Sequence, residues 1–324
     1  EAARRASCQN NLKQWGLIFK MYSNESKGGA FPPGNTTIPV GSGDFRMYAW
    51  LQGIGGDHIY PDYWTDVNIA VCPSDSRVDY DPLLAEGGFG VETDYAGQIA
   101  RLAELSASTG VDLCLNAYLS MPISYVYTAY AGRTGSQVLD IFFIRSDAWK
   151  VATEAQSYQK GDAALVAAGC TDIGAAEYSD LHMHDIGGAE IAAGSPRSFG
   201  WGDDDGAPLP ETYYRLREGI ERFFITDINN PGASAQAQSN VIVMFDAWSD
   251  GASNVGWGEN PLPESPGATA TYNHIPGGSN VLYMDGHVEF VRYGSKPPVT
   301  SKGQHPNALV RAAGGWMYLT GGFG

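Results

Sequence analysis

The sequence predicts an α+β fold: an N-terminal α-helix packed on an antiparallel β-sheet, with large loop and helix insertions between the strands. Three observations carry this. Residues 2–23 hold Leu12, Trp15, Phe19 and Tyr22 at spacings of three and four, which sets them on one face of a helix. Residues 240–248, NVIVMFDAW, form a continuous apolar run of the kind found in a central strand. Asp285-Gly286 separates two strand-like runs, 280–284 and 287–293, and Asp-Gly is among the strongest short hairpin signals.

Taken in order, Arg4, Arg5, Lys13 and Lys20 lie off the helical stripe. SKGGAFPPGN (26–35) then stops the helix with glycines followed by prolines. IAVCPSD (69–75) predicts a strand ending at Pro73. Residues 94–109 and 137–169 carry helical patterns, and PISYVYTAYAG (122–132) between them is a Tyr- and Val-rich strand. Residues 171–212 are Gly- and Asp-rich and predict surface loops. YYRLREGIERFFI (213–225) predicts a helix or a helix-to-strand segment, and the tail at 295–324 is rich in Pro and Gly. There is no internal repeat.

The C-terminal hairpin can be read residue by residue. A two-residue type I′ turn at 285–286 pairs Met284 with His287, Tyr283 with Val288 and Val281 with Phe290. One face then carries Val281, Tyr283, Val288 and Phe290, and the other Leu282, Met284, His287 and Glu289. On this reading Asp285 and Gly286 are turn residues, with Gly286 at φ > 0, and His287 sits on the open face without chemistry. His274 precedes Pro276-Gly277-Gly278, and its imidazole is expected to hydrogen-bond the neighbouring backbone and fix that loop.

Composition limits the function classes. The chain has 324 residues, 43% of them hydrophobic, enough for a substantial core. A net charge of −16 argues against nucleic acid and anionic membrane surfaces as partners, while permitting calcium or a basic partner. No apolar window of about 18 residues is present, and no signal peptide is visible. The four cysteines, Cys8, Cys72, Cys114 and Cys170, form no CxxC pair, which disfavours a zinc ribbon. An even count at wide spacing suits two disulfides in an oxidising compartment, with three pairings open.

Two loops carry candidate metal ligands. SDLHMHDIGG holds His182, His184 and Asp185, a His-x-His-acid pattern without a placed third partner. WGDDDGAPLPE offers Asp203, Asp205 and Glu211 to calcium, although EF-hand spacing is not met. No GxSxG, P-loop, GxGxxG or HExxH occurs, and the chain is not expected to be an enzyme. Asn24 and Asn35 fit the Asn-x-Ser/Thr acceptor pattern. The many Trp and Tyr residues suit glycan stacking or, more simply, core and interface packing.

Several stretches together resemble one family. EAARRASCQNNLKQWGLIFKMYSNESKGGAFPP resembles the second half of the long N-terminal helix and first loop of type IV pilin-like pseudopilins, and IAVCPSD the segment that follows it. NHIPGGSNVLYMDGHVEFVRY resembles the C-terminal His…Asp-Gly element of a bacterial prepilin-like group, with His274, Gly277, Gly278, Asp285, Gly286 and His287 as the motif positions. ERFFITDINNPGASAQAQSNVIVMFDAW (221–248) is similar to the same group.

The resemblance implies residues 1–27 as the remaining half of a pilin-type helix. It implies 28–324 as a pilin-like globular domain with an inserted region at about 80–270. It also implies Cys8–Cys72 pairing within the family-like core and Cys114–Cys170 pairing within the insertion. The implied role is a non-enzymatic pilin or pseudopilin subunit, extracellular or at the cell surface, that self-associates into a homo-oligomer or filament. No cofactor is certain; calcium is the candidate. The leader and apolar half-helix that anchor such proteins are not among these residues, and membrane contact is expected only through that segment; self-association through the rest of the chain does not require it. The rival readings are a glycan-binding adhesin and a metal-dependent hydrolase built on His182, His184 and Asp185.

Overall fold

A computed structural model describes residues 1–34, 37–40, 53–74, 95–110, 112–120, 124–138, 140–141, 144, 174–177, 184–188, 191, 202–203, 206–224, 237–249, 271–272, 274 and 277–299. The first element is helix α1, Ala2–Glu25. It forms because one stripe has somewhere apolar to go: Leu12, Trp15 and Phe19 are buried together with Cys8 and Ile18, and Tyr22 is half-buried. Trp15 packs on Trp64 with ring centroids 4.8 Å apart, and Phe19 on Tyr127 at 5.0 Å. Gly16 allows close approach, since a Cβ there would stand 3.3 Å from Leu282 Cδ1. Gly28 and Gly29, at φ 74° and 67°, then turn the chain out of the helix.

Two further helices are α2 (Tyr95–Thr109) and α3 (Leu113–Leu119), and residues 135–138, 140–141 and 144 are also helical. Among the described residues the strands are β1 (Thr37–Val40), β2 (Tyr125–Gly132), β3 (Gly174–Glu177), β4 (Ile186–Gly187), β5 (Thr212–Tyr213), β6 (Ile242–Asp246), β7 (Trp248–Ser249), β8 (Thr271–Tyr272), β9 (Gly278–Tyr283) and β10 (Val288–Arg292). The main sheet has the order β10-β9-β6-β2, with all neighbours antiparallel. Three two-stranded pairs, β1-β3, β4-β5 and β7-β8, accompany it. The fold is α+β, with α1 lying on one face of the four-stranded sheet. Strands β6 and β9 are buried along their whole length, so the sheet is covered on both sides. Leu282 and Met284 join the core under α1; Val281, Tyr283, Phe245, Val126 and Val291 form a second core on the opposite face. Two of the four strands, β2 and β6, come from within 80–270, so that stretch contributes to the sheet itself.

The hairpin register differs by one residue from the expected one. Val288 pairs with Leu282, Glu289 with Val281 and Phe290 with Asn280. The connection is a three-residue loop, Met284-Asp285-Gly286. The Gly286 N–H donates to Tyr283 O at 2.9 Å, the Tyr283 N–H donates to His287 O at 3.0 Å, and Gly286 sits at φ 89°. This is the type I turn plus left-handed glycine, in place of the type I′ turn. The reason is Met284: its N–H donates to Val241 O and its side chain is buried, so that N–H does not pair with His287 O as the residue flanking a two-residue turn must. The slip separates the four residues expected on one face. Val281 and Tyr283 face one core, whereas Val288 pairs with Leu282 on the α1 side.

Two other expectations change. Residues 67–70 of the IAVCPSD region form a 3-10 turn, not a strand, because the Asp66 side chain accepts from the Asn68 N–H and caps it. Residues 213–217 are extended, not helical. The Leu216 N–H donates to Ala129 O and the Ala131 N–H to Tyr214 O, so this stretch runs against β2. The Phe31 N–H donates to Leu216 O on its other side. Ala129 adopts φ 60° where the β2–β6 register shifts, a bulge that frees β2 backbone for this partner. Residues Ile220–Phe223 follow as a 3-10 turn after Gly219 at φ 74°.

Candidate functional site: a buried histidine beside a disulfide

Asp246 ends β6 on the α1 side of the sheet, registered between Tyr125 of β2 and Asn280 of β9. A carboxylate here has no water to bond, so it needs protein donors. Its Oδ2 accepts from the Asn280 N–H at 2.8 Å and from Asn280 Nδ2 at 2.7 Å. It also lies 3.0 Å from His274 Nε2, and both side chains are fully buried.

His274 is delivered by a tight turn. The Gly277 N–H donates to His274 O at 3.0 Å, and His274 bridges to Gly278. Gly278 is required by close packing, since a Cβ would stand 2.3 Å from Val291 O and 2.8 Å from Phe290 Cζ. The other ring nitrogen, Nδ1, lies 3.2 Å from Glu1 Oε1 at the start of α1. With a carboxylate on each nitrogen, the doubly protonated ring satisfies both partners. Burial by itself pushes the His274 pKa down. The hydrogen bonds and charges of Asp246 and Glu1 outweigh it, and the net direction is up. The expectation that this imidazole bonds the neighbouring backbone is therefore corrected: its partners are the carboxylates of Glu1, before α1, and Asp246, at the end of β6.

The Cys8–Cys72 disulfide lies against this cluster, with Cys72 Sγ 3.7 Å from His274 Nε2. The Cys72 N–H donates to Ser124 Oγ, and Asn11 Nδ2 donates to Val71 O at 3.0 Å, so the cysteine loop is held on one side by α1 and on the other by the residue before β2. Asp246 Oδ1 and Asn280 Oδ1 are buried without a hydrogen-bond partner. Five segments thus converge: the start of α1, the Cys72 loop, the end of β6, the His274 turn and β9. The arrangement holds the start of the helix to the sheet electrostatically and to the Cys72 loop covalently.

The other predicted residues fall elsewhere. His287 and Asp285 lie beyond the far end of β9, about 17 Å along the strand from the His274 turn. They form a half-exposed pair, Nδ1 to Oδ1 at 2.5 Å, and the His287 ring stacks on Tyr283 with centroids 4.5 Å apart. Asp185 accepts from the Arg215 N–H and from Arg217 Nη2, both at 2.8 Å, and so anchors the 213–217 stretch. His184 is exposed beside it, and His182 lies outside the described residues. Asp203 accepts from Thr134 Oγ1 and Gln137 Nε2, both at 2.5 Å, at the start of a helical stretch where Thr134 Oγ1 also caps the Gln137 N–H. Glu211 is exposed and Asp205 lies outside the described residues. Asn24 is exposed on α1; Asn35 and Cys170, and with the latter the Cys114–Cys170 pairing, lie outside the described residues.

Sequence reasoning marked His274 and Cys72 but missed Asp246, Asn280 and Glu1. The one available signal was an Asp closing an otherwise apolar central-strand run. Neither the curated proteins nor the solved structures contain a match to this chain. Residues 1–61, which hold α1 and its exit turn, match the family model described as "Protein of unknown function (DUF1559)".

Proposed function

We propose that the chain is a non-enzymatic, pilin-like structural subunit of a cell-surface or extracellular filament or secretion-associated pseudopilus. The observation that carries this reading is the two-sided use of α1. Its inner stripe is buried on the sheet, while Leu17 and Met21, one turn apart on the outer side, are 64% and 49% exposed. A helix that packs on its own sheet and presents an apolar outer line suits lateral association with further copies. The match of residues 1–61 supports it, since that family is often found with prepilin-type N-termini. The Cys8–Cys72 disulfide suits an oxidising compartment. Among the described residues, no helix is long and apolar enough to cross a membrane.

Electron microscopy of the native material tests the reading directly, with filaments as the expected result. Leu17→Glu with Met21→Glu should abolish assembly while leaving the folded chain intact by circular dichroism. Trp15→Ala should instead destabilise the chain by about 3–5 kcal/mol, as for other large core truncations. Native material that is uniformly monomeric, with or without the two glutamates, would sink the proposal.

A further inference from the structure

The sulfurs of Cys8 and Cys72 and His274 Nε2 all lie within 4.8 Å of one another, and all three residues are buried. Cys72 Sγ is 3.7 Å from Nε2. In a tetrahedral zinc site, with bonds of about 2.3 Å to sulfur and about 2.0 Å to nitrogen, two such ligand atoms stand about 3.5 Å apart. The ring's other nitrogen faces the Glu1 carboxylate at 3.2 Å, the outer contact that fixes tautomer and aim in metal-ligating histidines. Asp246 brings a second carboxylate to 3.0 Å from Nε2, and its Oδ1 is buried without a partner. A purely structural disulfide requires none of these groups.

We propose that Cys8, Cys72 and His274 form a thiol-gated site for a zinc-class cation. As a disulfide the site is closed. On reduction it offers two thiolates and one imidazole, with the Asp246 carboxylate beside the fourth position. The step balances with a trialkylphosphine as reductant. The phosphine is oxidised by two electrons and takes the oxygen of one water; the S–S bond breaks, and that water's two protons leave the sulfurs as thiols. The cation then displaces both thiol protons and the Nε2 proton to solvent. The sulfurs part to about 3.8 Å, the tetrahedral edge for two thiolates.

The test uses the full chain carrying Cys114→Ser and Cys170→Ser, so that Cys8 and Cys72 are its only thiols. It is reduced with the phosphine, kept anaerobic and titrated with Co²⁺, whose thiolate charge-transfer and tetrahedral bands report the ligand set. The expected result is one equivalent bound by the reduced chain, displaced by Zn²⁺, and none bound by the oxidised chain. His274→Ala should weaken Co²⁺ binding by more than about 100-fold and Glu1→Gln by about 10-fold. Three results overturn the proposal: no such bands after reduction, equal affinity in His274→Ala, or loss of the far-ultraviolet circular dichroism on reduction. If the double serine variant does not fold, the same titration compares the reduced wild-type chain with reduced Cys8→Ser. One tight equivalent must then disappear, and equal stoichiometry refutes the site.

Discussion

Strand β9 has a histidine beyond each end, and each histidine has an aspartate for a partner. At one end His274 meets Asp246 with both side chains at 0% exposure; at the other His287 meets Asp285 with 40% and 32%. The pair chemistry is the same and the consequence is not. Water can replace either partner of His287, so losing one costs little. Water does not reach the His274–Asp246 pair, so the inner side of the ring had to be built from protein: Asp246, Asn280 and the disulfide, with only Glu1 on the outer nitrogen partly exposed. Burial, more than residue type, decides which end of the strand is costly to disturb.

The largest expected effect follows from that contrast. Asp246→Ala leaves a buried imidazolium and two Asn280 donors without their acceptor, and should cost about 3–5 kcal/mol in equilibrium urea unfolding. Asp285→Ala should cost no more than about 1 kcal/mol. Equal losses at the two ends would break the comparison.

The glycines at the two ends sharpen it. A β-carbon at Gly278 would overlap the Val291 carbonyl at 2.3 Å, so Gly278→Ala forces β9 and β10 apart and should cost about 3 kcal/mol. At Gly286 a β-carbon meets nothing within 4 Å, and only the left-handed backbone at φ 89° resists it. Gly286→Ala should therefore cost about 1–2 kcal/mol. Paired thermal or urea melts of the two variants decide whether crowding or backbone conformation dominates.

A pH series separates charge from packing at the buried end. The folded pKa of His274 lies above the unfolded value of about 6.5, because Asp246 and Glu1 outweigh the opposing effect of burial. The stability this contributes is fully present below the unfolded pKa and is lost as pH rises through the folded one. The difference between wild type and His274→Gln should thus be greatest below about pH 6.5 and shrink above it. A difference that grows with pH would mean that the ring is held neutral.

Much of this was legible in the sequence, for reasons that differ by element. The α1 stripe was legible because helical period and burial coincide at Leu12, Trp15 and Phe19. The central strand at β6 and the hairpin at Asp285-Gly286 were legible from local chemistry, but the register was not. Met-Asp-Gly supports a three-residue loop as well as Asp-Gly supports a two-residue one, and the choice is made by the Val241 carbonyl, just before β6. The 213–225 segment, expected as a helix or helix-to-strand segment, runs instead from an extended stretch into a 3-10 turn, because the extended form of 213–217 is imposed by β2 and the loop after α1. His274 was visible as a motif residue. Its partners were not, because Glu1 and Asp246 stand 273 and 28 residues away in sequence and meet it only through the sheet.

The smallest expected effect belongs to His287, and it is the strictest test of the comparison. Its ring pairs with Asp285 and stacks on Tyr283, contacts that on paper rival those of His274. The His287 ring and Asp285 are open to solvent, however, although Tyr283 is buried, and the turn does not depend on the ring. The His287 N–H donates to Asp285 Oδ1 at 3.1 Å, and the His287 carbonyl accepts from the Tyr283 N–H. These backbone contacts survive any side-chain change. Gln keeps a donor for Asp285 and gives up only the stack, so His287→Gln should shift stability by no more than about 0.5 kcal/mol. The check is the urea midpoint at unchanged slope, measured beside His274→Gln in the same buffer. A loss above about 1.5 kcal/mol at His287 would mean that the stack on Tyr283 holds the second core closed, and that exposure alone does not rank the two ends of the strand.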